Sequence, residues 1–148
     1  MTNTATQPTC KELVKEKFNQ IEQDYQDARE FFDKYDFSTE GEQIALKVID
    51  KHKGDYFHEY EDLFDYVGQT ALSWDYVEQE GKNAGFYRLQ LSWGGPSDEL
   101  RIYTTQYADE IDVIEYHYMD WFDGASIPVP CSSTSWDVCQ YFLDCEVA

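Results

Sequence analysis

Basic residues are scarce in this chain, above all in its C-terminal part. The 148 residues include 11 Lys and Arg against 30 Asp and Glu, which gives a net charge of −19. No Lys or Arg lies between Gly54 and Gly81, and none follows Arg101. Because contacts to phosphate are made mostly by Lys and Arg, this shortage argues against nucleic acid or an anionic membrane as a direct ligand.

Long apolar runs are also missing. No stretch approaches the ~20 consecutive apolar residues of a membrane span. Residues 1–10 contain neither the basic nor the apolar segment of a secretory signal. We therefore expect a protein of the cytoplasm, which would be the host cell cytoplasm if a phage encodes the chain. The four cysteines are then expected to be reduced thiols.

Signatures of catalysis and of metal binding are incomplete. His58 and Glu59 begin a zinc-protease pattern, but Asp62 stands where the second histidine is required. The three C-terminal cysteines, even with His117, lack the closely spaced pair that is typical of zinc sites. No candidate catalytic triad is found around the three histidines. We therefore expect no enzymatic activity, no metal and no cofactor.

Length and composition predict one folded domain. With 42% hydrophobic and 17% aromatic residues, the chain can build one core. Residues 1–9 are rich in Thr and are expected to form a flexible tail. Residues 10–148 are then expected to form a single α+β domain.

The N-terminal part predicts helices. Apolar residues recur at steps of four and three from residue 10 to about residue 35, and Thr9 with Glu12 forms a plausible capping box. A second helix is predicted to include residues 44–49, and a third to span residues 56–68. The apolar positions of the first helix are Val14, Phe18, Ile21, Tyr25, Ala28, Phe32 and Tyr35.

Residues 85–122 predict an antiparallel meander of three strands. In the first strand every second residue from Tyr87 to Trp93 is apolar. Tyr87, Leu89, Leu91 and Trp93 are therefore predicted to share one face of the sheet. The Gly-Gly-Pro sequence that follows Trp93 predicts a turn. A short strand or helical turn is predicted within residues 69–84. A last helix is expected to begin near Ser133 or Ser135.

The predicted fold class is therefore α+β. We expect N-terminal helices packed on an antiparallel three- to four-stranded sheet, with a short C-terminal helix.

Acidic and aromatic residues are interleaved in the second part of the chain. Residues 54–148 hold 19 acidic and only three basic residues. Tyr and Trp anchor many protein interfaces, while carboxylates on a rigid scaffold attract a basic partner and accept hydrogen bonds from its Arg and Lys. Such an array imitates part of the charge of DNA, which carries one negative charge per roughly 1.7 Å of axis.

In size, charge and this interleaving, the chain resembles the small acidic DNA-mimic proteins by which phages and plasmids block restriction enzymes or CRISPR effector complexes. The resemblance implies an inhibitor that fills the cationic nucleic-acid groove of a bacterial defence protein. Immunity proteins that neutralise basic nuclease toxins are similar for the same electrostatic reason. A non-catalytic oligomeric structural protein of a mobile element, or a homodimer, is a further alternative.

We expect the partner to contact one acidic, tyrosine-rich face built from the third helix, the meander and the C-terminal helix. The alternation in the third strand leaves open whether Tyr116 or His117 faces outward. Carboxylates in this region could also hold a divalent cation, although close pairs are expected by chance in so acidic a chain. The candidate contact residues are Glu59, Asp62, Asp65, Asp109, Glu115, Tyr116, Asp120, Trp121 and Asp123.

Overall fold

A computed structural model describes residues 8–34, 57–105 and 110–147. The predicted helix at residues 44–49, residues 1–7 of the expected tail and Asp109 lie outside the described residues. The elements within the described ranges are α1 (Cys10–Lys34), α2 (Leu63–Thr70), β1 (Ser73–Val77), β2 (Phe86–Ser92), β3 (Ser97–Thr104), β4 (Ile111–Asp120), β5 (Asp123–Pro128) and α3 (Thr134–Val147).

The five strands form one antiparallel sheet in chain order, from β1 at one edge to β5 at the other. The α+β class is therefore confirmed, whereas the expected count of three to four strands was too low. The sequence pattern missed β5, in which Gly124 and Pro128 interrupt the alternation of side chains. An edge strand tolerates a proline at its end because the N–H groups on its outer side need no partner strand.

The long first helix is confirmed as α1. The Thr9 hydroxyl accepts a hydrogen bond from the Glu12 N–H at 3.3 Å, which is half of the predicted capping box. Phe31, and not Phe32 as the stripe predicted, is the fully buried ring at the end of this helix. It packs against Phe57, with the ring centroids 5.7 Å apart.

The core lies between the helices and one face of the sheet. Leu89, Leu100, Tyr116 and Ile127 stand opposite one another across four neighbouring strands. The Phe18 ring of α1 packs on Tyr116 at 5.6 Å, so the helices cover this face. We call the opposite face of the sheet, on which the side chains between these positions lie, the outer face.

A β-bulge in β2 moves Trp93 to the outer face. The register with β3 shifts between Gln90 and Ser92, so that Leu91 is an extra residue in its strand. The Gln90 amide fills the bulge by donating to the carbonyl oxygens of Ser92 and Asp98, at 2.7 and 3.1 Å. The predicted place of Trp93 on the apolar face is therefore wrong, and its side chain is 76% exposed.

The C-terminal helix begins close to the predicted position. Ser133 accepts a hydrogen bond from the Trp136 N–H at 3.1 Å, which caps the first turn of α3. The buried side chains of α3 include Val138, Cys139 and Leu143. Tyr141 of the same helix is exposed.

Candidate partner-binding surfaces

The N-terminus of α2 brings together three of the predicted carboxylates. Asp62 has an extended backbone (φ −157°, ψ −179°), and its side chain accepts the Asp65 N–H at 2.7 Å. Asp65 in turn accepts the Glu61 N–H at 2.9 Å. This reciprocal capping begins α2 later than the predicted third helix. It also holds both carboxylates in fixed positions, while Glu59 remains exposed just before them.

Asp65 is also bonded within its helix. Its second oxygen accepts a hydrogen bond from the Gln69 amide at 2.8 Å. The pKa of Asp65 is lowered, first by this bond and then by the Glu61 N–H. The carboxylate is therefore ionised at neutral pH.

Helix α3 adds further acids beside α2. Phe64 and Tyr141 stack with their ring centroids 4.0 Å apart and their planes 11° from parallel. The pKa of Tyr141 is raised mainly by Cys145, with a smaller contribution from the charge of Asp62 at the N-cap of α2. We call the surface residues of this region the acidic helix surface, which comprises Glu59, Glu61, Asp62, Asp65, Tyr141, Asp144 and Glu146.

No Lys or Arg in the segments that form the acidic helix surface neutralises it. Lys and Arg are absent between Phe57 and Gly81 and within α3. The three ion pairs that arginines form among the described residues leave the acidic helix surface untouched, since they join Arg29 to Asp137, Arg88 to Asp75 and Arg101 to Glu99. The six carboxylates of this surface are therefore uncompensated by the described part of the protein.

The turn between β4 and β5 carries three other predicted residues. Asp123 accepts the Cys10 N–H at 2.8 Å, which caps the N-terminus of α1 from a distant part of the chain. This N–H lowers the pKa of Asp123. Trp121 has φ +56°, an uncommon backbone angle for a residue other than glycine, and its ring is 86% exposed. Asp120 precedes it and is half-buried.

Glu115 and Tyr116, on the third strand of the predicted meander, lie on opposite faces of the sheet. Glu115 is half-buried on the outer face and pairs with the His117 ring at 2.9 Å. Burial lowers the pKa of His117, so the ring is neutral at neutral pH. Tyr116 lies on the helix-covered face, is fully buried, and donates to the Asp98 carboxylate at 2.6 Å. Tyr116 is therefore unavailable as a surface anchor, and the open question of strand parity is answered in favour of His117.

The remaining predicted residues do not form one continuous face. Asp123 lies at the first residue of α1, whereas Phe57, just before Glu59, packs on Phe31 near the other end of that helix. At a rise of about 1.5 Å per residue, these two contacts are about 30 Å apart along α1. Glu59, Asp62 and Asp65 are brought together, while the β4–β5 turn and Glu115 lie elsewhere.

Sequence reasoning missed a cavity on the outer face. Its volume is about 550 Å³, and it is lined by Arg88, Trp93, Glu99, Arg101 and Trp121 among others. Trp93 was not among the candidate contact residues because strict alternation placed it in the core. One feature of the sequence could have indicated this cavity. Alternation along the strands places the charged residues Arg88, Glu99 and Arg101 on the same face of neighbouring strands, which is the outer face.

Within the described ranges, no three side chains of His, Cys, Asp or Glu approach closely enough to hold a metal ion. No helix in these ranges is both long and apolar enough to cross a bilayer. The chain matches no protein-family model, no curated protein and no solved structure.

Proposed function

We propose that this protein is an acidic inhibitor that imitates the charge of a nucleic acid and blocks the DNA- or RNA-binding groove of a basic bacterial defence protein. The observation that supports this proposal best is the acidic helix surface. Its six carboxylates come from α3, from α2 and from the residues just before α2, two segments that lack Lys and Arg and pack together through Phe64 and Tyr141. The proposed action is binding without catalysis, in the cytoplasm of a bacterial cell.

Fixed carboxylates suit this role better than mobile ones. Asp62 and Asp65 are already held by the capping hydrogen bonds of α2, so their ordering costs little when a partner binds. Tyr141 adds an exposed aromatic ring beside them. Aromatic anchors surrounded by charges are typical of interfaces that are steered electrostatically.

Clustered like charges also carry a cost that pairing would remove. Asp62 and Asp65 lie three residues apart, and the repulsion between like charges at such a spacing, a few tenths of a kcal/mol, offsets part of the stabilisation that their capping hydrogen bonds contribute. Elsewhere in the chain the three arginines are used, because Arg29, Arg88 and Arg101 each pair with a carboxylate. A surface whose carboxylates pair with no Lys or Arg of the described ranges fits a function that needs their charge.

The experiment captures the partner and then tests competition. Tagged protein is mixed with bacterial lysate and eluted at about 500 mM NaCl, where screening weakens exposed ion pairs strongly. The eluted protein is identified and its DNA binding is measured with and without the inhibitor. We expect the captured protein to bind nucleic acid and the two ligands to exclude each other.

Matched variants show whether the acidic helix surface makes the contact. The test variant combines Glu59→Gln, Glu61→Gln and Asp62→Ser, where Ser retains a side chain able to cap α2. The control combines Glu78→Gln, Glu80→Gln and Glu110→Gln, which removes the same charge from exposed positions elsewhere. We expect only the test variant to lose about tenfold or more in affinity. Equal losses in both variants, or a partner that binds DNA and this protein simultaneously, would refute the proposal.

A further inference from the structure

The cavity on the outer face lies where two turns of the sheet meet. The turn after β2 supplies Trp93 and Gly95, and the turn after β4 supplies Trp121. A Cβ atom built on Gly95 would lie 3.1 Å from the Trp121 indole nitrogen, so the indole packs closely against this glycine. The cavity of about 550 Å³ is within the usual range for ligand sites.

Two tryptophans of this cavity are unusually exposed. Trp93 and Trp121 are 76% and 86% exposed, although an indole buries more apolar area than almost any other side chain. The β2 bulge directs Trp93 to this face, and the positive φ of Trp121 places its ring beside Gly95. Exposed aromatic side chains that line one concave site indicate a binding surface.

The floor of the cavity holds a buried carboxylate with unused hydrogen-bonding capacity. Only 4% of the Glu99 side chain is exposed. One of its oxygens accepts the Arg101 Nε–H at 2.7 Å, and the other has no hydrogen-bond partner among the described residues. A carboxylate oxygen that accepts no hydrogen bond from the protein is a strong acceptor for a charged donor that enters the cavity.

The arginines on the floor are already engaged. Arg88 makes two hydrogen bonds to Asp75, at 2.7 and 3.1 Å. Arg101 donates a hydrogen bond to Glu99, and its guanidinium lies over the Phe86 ring of β2. An anionic ligand would have to displace these carboxylates. The cavity is lined by these two guanidinium groups and by Glu99, and Asp75 and Glu115, which share the outer face without lining the cavity, bring the carboxylates of that face to three.

We propose that this cavity receives an arginine side chain of the basic partner, with its guanidinium against the Trp93 and Trp121 rings and bonded to Glu99. The proposal rests on the proposed function, because it assigns the partner a specific anchor. Trp is the best aromatic face for a cation, and a guanidinium can stack on it while donating in its plane. A lysine ammonium cannot stack in this way.

The test uses the full chain, labelled with ¹⁵N, and a blocked tri-arginine peptide as the probe. The indole N–H signals of the four tryptophans report on different places. We expect saturable shifts at Trp93 and Trp121, and about fivefold weaker binding of a tri-lysine peptide. Trp74, which donates to Glu146, reports separately on the acidic helix surface. An absence of peptide binding at Trp93 and Trp121 would refute the cavity site alone, whereas the proposed function is tested separately through the acidic helix surface.

Variants separate the cavity from general attraction to an acidic protein. Trp93→Ala and Glu99→Gln should each weaken peptide binding, measured at Trp121, by about fivefold. Glu110→Gln removes one exposed charge outside the cavity and should change binding less than about twofold. Because Trp93 is exposed, its variant carries the test even if Glu99→Gln fails to fold.

Three results would overturn the inference. The first is an absence of saturable shifts at Trp93 and Trp121. The second is a loss in Glu110→Gln as large as that in Glu99→Gln, which would mean that net charge alone attracts the peptide. The third is inorganic phosphate shifting the same two indoles and displacing the peptide, which would make the arginines of the floor the ligand-binding groups.

Discussion

Glu22 shows how a single side chain joins the first and last helices. Its two oxygens accept the backbone N–H groups of Thr134 and Ser135, at 3.0 and 2.9 Å, at the start of α3. The Ser135 hydroxyl donates to the same carboxylate at 2.7 Å. We expect Glu22→Ala to lower the free energy of unfolding by about 1–2 kcal/mol in urea titrations. Glu16→Ala, on the exposed side of α1, should stay within about 0.5 kcal/mol of the parent.

The contribution of Glu22 should depend on pH. Burial alone would raise its pKa, but hydrogen bonds from Ser135, Gln26 and Thr134 outweigh burial and lower the pKa below its ordinary value of 4.5. The stabilisation is therefore complete at neutral pH and is lost as the pH falls through the lowered pKa. The difference between Glu22→Ala and the parent should shrink as the pH falls from neutral through 4.5 and past the lowered pKa of Glu22. A difference that is independent of pH would contradict this assignment.

Tyr116 offers a second prediction at the residue scale. Its buried hydroxyl donates to Asp98, which also receives the Ser92 hydroxyl. Tyr116→Phe removes one donor from a buried carboxylate and should cost about 1–3 kcal/mol of unfolding free energy. Tyr118→Phe is the control, because the Tyr118 hydroxyl makes no hydrogen bond to the described residues; thermal unfolding should barely change. Equal losses in the two variants would show that the Asp98 bond is unimportant.

The alternation of apolar and polar residues predicts the face on which a strand residue lies only where the strand is regular. The apolar face of Tyr87 and Leu89 was predictable because period-2 alternation fixes it. Trp93 was misplaced because one bulged residue reverses the parity of everything after it. Nothing in the local sequence marks the bulge, since the Gln90 amide that fills it bonds to Asp98 on the next strand.

Asp62 caps α2 and is also proposed to contact the partner, and two substitutions separate these roles. Asp62→Ala removes both the cap and the charge, and should cost about 1 kcal/mol of stability. Asp62→Ser keeps an oxygen that can accept the Asp65 N–H, so its stability should stay within a few tenths of a kcal/mol of the parent. Urea titrations measure the stability of each variant, and the affinity for the captured partner is measured in parallel.

The two outcomes for Asp62 are distinct. If the acidic helix surface contacts the partner, the two variants should lose the same affinity despite their different stabilities. Full affinity in Asp62→Ser with reduced affinity in Asp62→Ala would instead assign Asp62 a purely structural role.

The elements themselves differ in how well the sequence predicts them. Helix α1 is long and strongly periodic, so its bounds were nearly correct. The start of α2 was misjudged because Asp62 and Asp65 were interpreted only as charges, whereas they also form the cap. Strand β5 was missed because its residues carry little alternation, and only the pairing with β4 makes it a strand.

For the whole molecule, the sequence predicts the amount of charge but not its arrangement. The excess of acids over residues 54–148 is evident from composition. Its division between the acidic helix surface, the β4–β5 turn and the outer face depends on how α1 spans the domain, which no local pattern shows. The ion pairs of the cations are equally unpredictable from the sequence, because the register of β1 and β2 is what places Arg88 opposite Asp75.

This arrangement of charge predicts how salt affects stability. With a net charge of −19, repulsion opposes folding, and NaCl should screen it. The melting temperature, followed by circular dichroism, should rise by about 3 °C or more between about 20 and about 500 mM NaCl. An unchanged or falling melting temperature would contradict significant repulsion in the folded state.

The location of the repulsion is tested by two variants of equal net charge. The first carries Glu59→Gln, Glu61→Gln, Asp144→Asn and Glu146→Gln, on the acidic helix surface. The second carries Glu12→Gln, Glu16→Gln, Glu30→Gln and Asp33→Asn on α1, where lysines are interspersed with the acids. Because uncompensated charges repel most, the first variant should lose more of the salt-dependent increase than the second. Equal losses would mean that the repulsion comes from the net charge of the whole protein and that the acidic helix surface has no special share in it.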